Sequence, residues 1–143
     1  MIDFKLNNTS HIFKDIGFVN GDIETTRDLE TAVLLSIFCE RRADSSEVPI
    51  AKYRRGWVGN ILMFDSLDEM GSKLWLLSQA RATANNLSRA EKFIAEALEW
   101  MIKTGKIRNI SVSVNYLTGN IMNISIKLMT FKETLEYNIN YGF

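Results

Sequence analysis

The stretch LSRAEKFIAEALEWMIKTG, residues 87–105, followed at once by KIRNISVSVNY, residues 106–116, decides the fold class. In the first part Leu87, Ala90, Ile94, Leu98 and Met101 recur every three or four residues, and Lys92, Glu96, Glu99 and Lys103 take the opposite side. That spacing predicts an amphipathic helix. Thr83 or Asn85 can cap its start, and Gly105 supplies a stop. From Ile107 the period falls to two. Ile110, Val112, Val114 and Tyr116 share one face, Thr118-Gly119-Asn120 turns the chain, and Met122, Ile124, Ile126 and Leu128 return. A third strand carries Leu135, Tyr137, Ile139 and Tyr141.

Upstream, residues 2–6 alternate apolar and polar, and residues 12–19 are rich in β-formers, with Asn7-Asn8-Thr9-Ser10 between them. They predict an N-terminal hairpin, after which Asn20-Gly21-Asp22 signals a tight turn. A first helix is expected from Thr25 or Thr26, as caps, to about Arg41, with Asp28 and Glu30 in its first turn and Arg41 and Arg42 at its negative end. Leu29, Ala32, Val33, Leu34, Leu35, Ile37, Phe38 and Cys39 cover most of its circumference, so it should lie centrally. Hairpin, helices and meander in that order give an α+β domain, with about three helices packed on antiparallel sheet built from the N-terminal hairpin and the C-terminal three-stranded meander. Residues 1–143 fit one domain, since single cores commonly run to about 100–200 residues.

Two linked runs in the middle look like a keystone: Arg54-Arg55-Gly56-Trp57-Val58-Gly59, and Gly71-Ser72-Lys73-Leu74-Trp75-Leu76-Leu77 after the acidic run from Asp65 to Glu69. Tryptophan and leucine at this density must leave water, whereas the flanking charges must stay solvated or paired. The segment therefore reads as a pinned loop, with Gly56, Gly59 and Gly71 permitting positive φ or a close approach to a ring. Leu74 to Leu77 reads as a short buried helix, although four residues also fit a strand. Residues 43–60 form a long irregular stretch with the only proline, Pro49, and a loop of that length is uncommon unless it is functional or packed down.

Chemistry is harder to find. Lys plus Arg is 17 and Asp plus Glu is 17, so there is no net field to hold a nucleic-acid backbone. Cys39 is the single cysteine, which excludes an internal disulfide and any multi-cysteine metal site. His11 is the single histidine, and no context makes it part of a triad. Asp65, Asp68 and Glu69 lack the pattern of a calcium loop, and Gly56 and Gly59 precede no Lys-Ser or Lys-Thr pair. No cofactor, metal or small-molecule ligand is expected. The start of the chain has no charged leader followed by an apolar run, and no window reaches a membrane span, so synthesis in a cytoplasm is expected. Arg41, Arg42, Arg54 and Arg55 admit three uses: pairing with Glu40, Asp44, Glu47 and Asp65 to fix the loop, a protein interface, or contact with nucleic acid. The first is favoured because arginine suits multidentate carboxylate pairing.

Four ordered blocks carry a resemblance: Leu29-Glu30-Thr31-Ala32-Val33-Leu34-Leu35-Ser36, Arg41-Arg42-Ala43, Arg54 to Gly59, and Gly71 to Leu77. Together they resemble the Mu-like prophage tail baseplate protein family called gene product forty-six, which is itself similar to baseplate wedge proteins of contractile phage tails. Relatives often have two adjacent tryptophans and an aspartate where this chain has Trp57-Val58 and Asn60, an arginine at Lys73, and a proline at Ala84. The resemblance implies a non-enzymatic structural subunit of the virion tail baseplate that binds other wedge proteins and the inner end of the tail sheath, with no nucleic acid and no membrane as partner. Arg41, Arg42, Arg54, Arg55, Gly56, Trp57, Gly59 and Trp75 are the candidate interface or scaffold residues. The alternative is a tail-associated peptidoglycan hydrolase, with Glu40 and Glu47, or Asp65 and Glu69, as its carboxylate pair.

Overall fold

A computed structural model describes residues 3–7, 15–26, 29–62, 69–78, 80, 82–118 and 120–143. His11, Asp28, Gly119 and the run from Asp65 to Asp68 lie outside these. The described chain forms nine strands and three α-helices: β1 (Asp3–Phe4), β2 (Leu6–Asn7), β3 (Asp15–Ile16), β4 (Phe18–Val19), β5 (Asp22–Ile23), β6 (Thr25–Thr26), α1 (Glu30–Phe38), α2 (Gly59–Leu62), α3 (Ala84–Lys103), β7 (Asn109–Thr118), β8 (Ile121–Met129) and β9 (Thr134–Gly142). Single turns of 3₁₀ helix cover Ala51–Tyr53 and Leu74–Leu77. The architecture is α+β.

Helix α3 takes its ends from the residues that the sequence nominates. The Thr83 side chain accepts a hydrogen bond from the Asn86 N–H. At the far end Gly105 adopts φ +72°, its N–H bonds the Ile102 carbonyl at 2.9 Å, and the Lys106 N–H reaches back to Met101 at 3.0 Å. Those two bonds make a Schellman cap. Ala90, Phe93, Ile94, Ala97, Leu98 and Met101 are buried, so the apolar face is wider than the five residues of the strict pattern.

The C-terminal sheet has the order β7-β8-β9, antiparallel throughout. Val114, Ile124 and Ile139 sit in register across it, as do Tyr116, Met122 and Tyr141, and this face packs on the helices. The opposite face is largely polar. Asn123 donates to Asn140 at 3.0 Å and Ser125 to Asn138 at 2.8 Å, while Lys127 pairs with Glu136 at 2.9 Å.

The N-terminal β region is a three-way junction. Strand β2 pairs with β3 as the expected hairpin does, β4 pairs with β5 across the Asn20-Gly21 turn, and β1 turns away to pair with β6. Partners change at Lys5, Gly17 and Glu24, whose backbones bond in a ring: Lys5 N–H to Glu24 O at 2.7 Å, Glu24 N–H to Gly17 O at 2.7 Å, and Gly17 N–H to Lys5 O at 2.9 Å. A Cβ at Gly17 would lie 2.8 Å from Glu24 Oε2, so the ring closes around a residue without one.

Helix α1 is shorter than its apolar pattern suggests. Thr25 and Thr26 do not cap it, because they are taken up as β6 opposite Phe4 and Asp3, and no side-chain hydrogen bond caps Leu29 at its start. It ends at Phe38, where Cys39 turns extended, so Arg41 and Arg42 do not sit at its last turn. Two residues that break its apolar pattern are buried. Thr31 donates to the Phe4 carbonyl, and Ser36 donates to Ala32 O at 2.7 Å while accepting from Trp100 Nε1 at 3.0 Å. The last contact ties α1 to α3.

Ser36→Ala should strip Trp100 Nε1 of its acceptor and cost about 1–3 kcal/mol in chemical denaturation. Trp100→Phe in the same background should recover part of that loss, a non-additivity read from a double-mutant cycle.

Candidate functional site

The site is built on residues 39–43, an extended segment clasped on both sides. On one side the Trp57 N–H bonds Glu40 O at 2.8 Å and the Ala43 N–H bonds Arg54 O at 2.9 Å. On the other the Ser72 N–H bonds Cys39 O and the Arg41 N–H bonds Ser72 O, both at 2.9 Å, which forms a parallel bridge between Glu40 and Ser72. The Ser72 hydroxyl continues inward to the Ile37 carbonyl at 2.6 Å.

Glycine makes this clasp possible at two points. Gly71 has φ +110°, and a Cβ there would stand 2.6 Å from Cys39 O and 2.9 Å from Arg41 N. Gly59 lies against the Trp57 ring, where a Cβ would be 2.1 Å from Cη2. Gly56 takes φ +123° beside Arg42. Arg55 also has positive φ, at 50°, a conformation costing a residue with a Cβ roughly 1–3 kcal/mol.

Three of the four arginines serve the main chain. Arg41 donates to the Glu69 carbonyl, Arg42 to Arg55 O at 3.2 Å and Ala51 O at 3.3 Å, and Arg54 to Val48 O at 2.7 Å and Pro49 O at 2.8 Å. Arg41 Nε is also 3.9 Å from the Glu69 carboxylate, beyond hydrogen-bond length. Among the described residues only Arg55, of the four, makes a close carboxylate pair, with Nη1 2.6 Å from Glu40 Oε1. Its guanidinium also lies over the Trp75 ring, 4.9 Å from the centroid. Trp75 is buried and donates its indole N–H to Arg41 O at 2.8 Å.

Of the carboxylates expected to serve the arginines, Glu40 does so, while Asp44 and Glu47 go instead to Lys73. Asp44 is 2.7 Å and Glu47 2.9 Å from its Nζ. Burial works to lower the Lys73 pKa, but the hydrogen bonds from Asp44 and Glu47 outweigh it and hold the ammonium above the usual lysine range. The same ammonium holds the Asp44 carboxyl below its ordinary value.

Strand β9 reaches this loop through aromatic contact. Tyr141 stacks on Phe38 at 5.2 Å and meets Phe143 edge-on at 5.1 Å. Burial, with help from Glu40 and against Arg55, pushes the Tyr141 hydroxyl up to about 12. The Glu40–Arg55 pair thus lies near enough to the end of the outer strand to act on the Tyr141 hydroxyl.

None of this resembles a hydrolytic centre. A general acid needs a carboxyl held neutral by its surroundings. Glu40 and Glu47 instead face separate cations, Arg55 and Lys73. Asp65 lies outside the described residues. Burial raises the Cys39 thiol pKa, the opposite of activation. Among the described residues no cluster of three or more His, Cys, Asp or Glu is placed to hold a metal ion. No helix among them is long and apolar enough to cross a membrane.

Residues 29–134 match the family model described as Phage protein GP46. The chain is similar to "Baseplate protein gp46" of Escherichia phage Mu, 41% identical over 107 residues that make up 72% of this chain and 70% of that protein. It is also similar to "Mu-like prophage FluMu protein gp46" of Haemophilus influenzae, 29% identical over 84 residues, or 59% of this chain and 55% of that protein. The matched region contains the whole clasp, α3 and the strands β7 and β8, while the three-way junction precedes it.

Two substitutions test the geometry. Gly71→Ala should destabilise by more than about 3 kcal/mol or prevent folding, because its Cβ meets main chain on a segment held from both sides. Lys73→Met should cost about 1–2 kcal/mol at pH 7. Asp44 has a depressed folded pKa, so its share is present above the ordinary carboxylate value near 3.9 and fades as pH falls through the lowered one. The gap between wild type and Lys73→Met in urea melts should therefore narrow below about pH 4.

Proposed function

The chain belongs to the Phage protein GP46 family, and from that premise we propose that it is a non-enzymatic structural subunit of a contractile phage or prophage tail baseplate. It is made in the host bacterial cytoplasm and takes its place in the tail by binding other wedge proteins and the inner end of the sheath. Its contact surface is the clasped loop around Arg54 to Gly59 together with the outer strand β9.

The observation that carries this reading is the continuity of those two features. Among the described residues strand β9 is paired within its sheet on one side, to β8, and an outer strand can accept an extended segment from a partner. Its end is stacked through Tyr141 onto Phe38, one residue before the clasped segment begins. The loop is held in shape before any partner arrives, which lowers the entropic cost of binding. A rigid polar and aromatic loop beside a strand edge suits assembly. Its arginines offer little to a substrate, since carbonyls and a carboxylate already engage them.

Arg55→Gly provides the test. Glycine accepts φ 50° without strain, so the change should leave the melting temperature within a few degrees while removing the cation. In the parent phage it should lower the yield of infectious tails at least tenfold, and Trp57→Ala should act in the same direction. Normal yields of complete tails from both variants would refute the assigned surface.

A further inference from the structure

Next to the clasp the chain displays aliphatic side chains in water. Val58, Ile61 and Leu62 are 66%, 67% and 70% exposed. Their spacing of three and four residues puts them on one side of the α2 turn. That turn is held firmly. Asn60 uses its side-chain amide like a strand partner, donating to Met70 O at 2.9 Å and accepting from the Met70 N–H at 3.0 Å. The ring of Trp57 packs on Gly59 from within the turn.

Three residues before Val58, Arg55 forms one wall of an open groove of about 490 Å³. Tyr53 and Trp75 face it and Leu76 lines it. Each aromatic has a cation above its ring, Lys52 over Tyr53 at 4.8 Å and Arg55 over Trp75 at 4.9 Å. Arg55 has Glu40 as a counter-ion, but among the described residues no carboxylate pairs with Lys52. The lining of the groove thus holds two cations, Lys52 and Arg55, and no carboxylate.

We propose that the α2 knob and the Tyr53–Trp75 groove together receive an amphipathic acidic segment of another tail protein. Its apolar side chains would cover Val58, Ile61 and Leu62 and enter the groove, while its carboxylates meet Lys52 and Arg55. This inference rests on the assembly reading above and adds the chemistry of the partner. Charge complementarity selects acid, because a basic or neutral segment would leave Lys52 in the groove without a counter-ion. The aliphatic knob argues against nucleic acid, whose bases stack on aromatic and guanidinium planes and have no use for three exposed aliphatics.

The test places a photo-reactive benzophenone amino acid at Ile61 of the full chain, in cells producing the parent phage, and sequences the cross-linked peptide by mass spectrometry. The expected product joins this chain to a segment of another tail protein that carries at least two carboxylates among apolar residues. Lys52→Glu should reduce that cross-link at least tenfold, whereas Lys52→Arg should preserve it. Cross-linking to a second copy of this chain, to nucleic acid or to a segment without acids would overturn the proposal. So would the absence of any cross-link while the substituted chain still enters complete tails. If those results came with an Arg55→Gly variant that blocks tail formation, the assembly reading would stand and only the acidic partner would fall. Complete tails at normal yield from both Arg55→Gly and Trp57→Ala would remove the assembly reading itself.

Discussion

The close approach of Gly71 to the Cys39 carbonyl is the constraint on which the candidate surface depends. It lets residues 70–72 run parallel to residues 39–41, and that bridge fixes where the chain leaves α1. Once the segment is placed, its other side is free to accept Trp57 and Arg54, and the long loop is fastened at both ends of a short extended stretch. Trp75 then fills the space beneath, with its indole N–H closing on Arg41 O. Removing the glycine would displace every later contact in that sequence. An irregular stretch from residue 43 to residue 60 is tolerable for the same reason: its carbonyls are satisfied by arginines, so few polar groups go without a partner.

Charge in this molecule is used locally. A guanidinium can serve two carbonyls at once along its planar fork, and Arg42 and Arg54 do so where a regular ladder is absent. A lysine cannot. Lys73, largely buried, instead gathers two carboxylates around a single ammonium, and its pair stabilises the junction between the loop and the second 3₁₀ turn. Exposed pairs such as Lys92–Glu96 and Lys103–Glu99 sit on the solvent side of α3 and contribute little by comparison.

How much of this was legible in the sequence depends on the range of the interaction. Helix α3 and the meander were readable because period, cap and stop are all local: Thr83, Gly105 and the alternation from Ile110 act within a few residues of themselves. The Leu74–Leu77 turn and the positive φ at Gly56 and Gly71 were readable for the same reason. The start of α1 was not, since Thr25 and Thr26 are good caps and good strand residues alike, and pairing with β1 decides between them. Ser36 looked like a polar break because its partner, Trp100, lies 64 residues away. The arginine pairing was legible for Arg55 and Glu40 but not for Asp44 and Glu47. Carboxylates near in sequence were the natural partners, yet Asp44 and Glu47 close on Lys73, and loop carbonyls take their place. Among the site residues the missed ones are Tyr141, Lys73 and the aliphatics of α2; for α2, the run Val58, Ile61, Leu62 was itself a signal, visible as apolar spacing inside a loop.

A surface of this kind differs from a catalytic centre in how its charged groups are paired. Catalysis asks for groups held in unfavourable ionisation states or left unpaired until a substrate arrives. Here the groups nearest to such a description are already answered: Glu40 by Arg55, Asp44 and Glu47 by Lys73, and Ser72 by the Ile37 carbonyl. The Tyr141 hydroxyl, pushed up to about 12, keeps its proton throughout the physiological range. Apolar surface follows the opposite rule, for Val58, Ile61 and Leu62 stand exposed on a turn that two amide hydrogen bonds hold rigid. A protein that satisfies its polar groups internally while displaying aliphatic ones has its free energy available for association, and the two cations lining the groove add orientation to that association at little electrostatic cost.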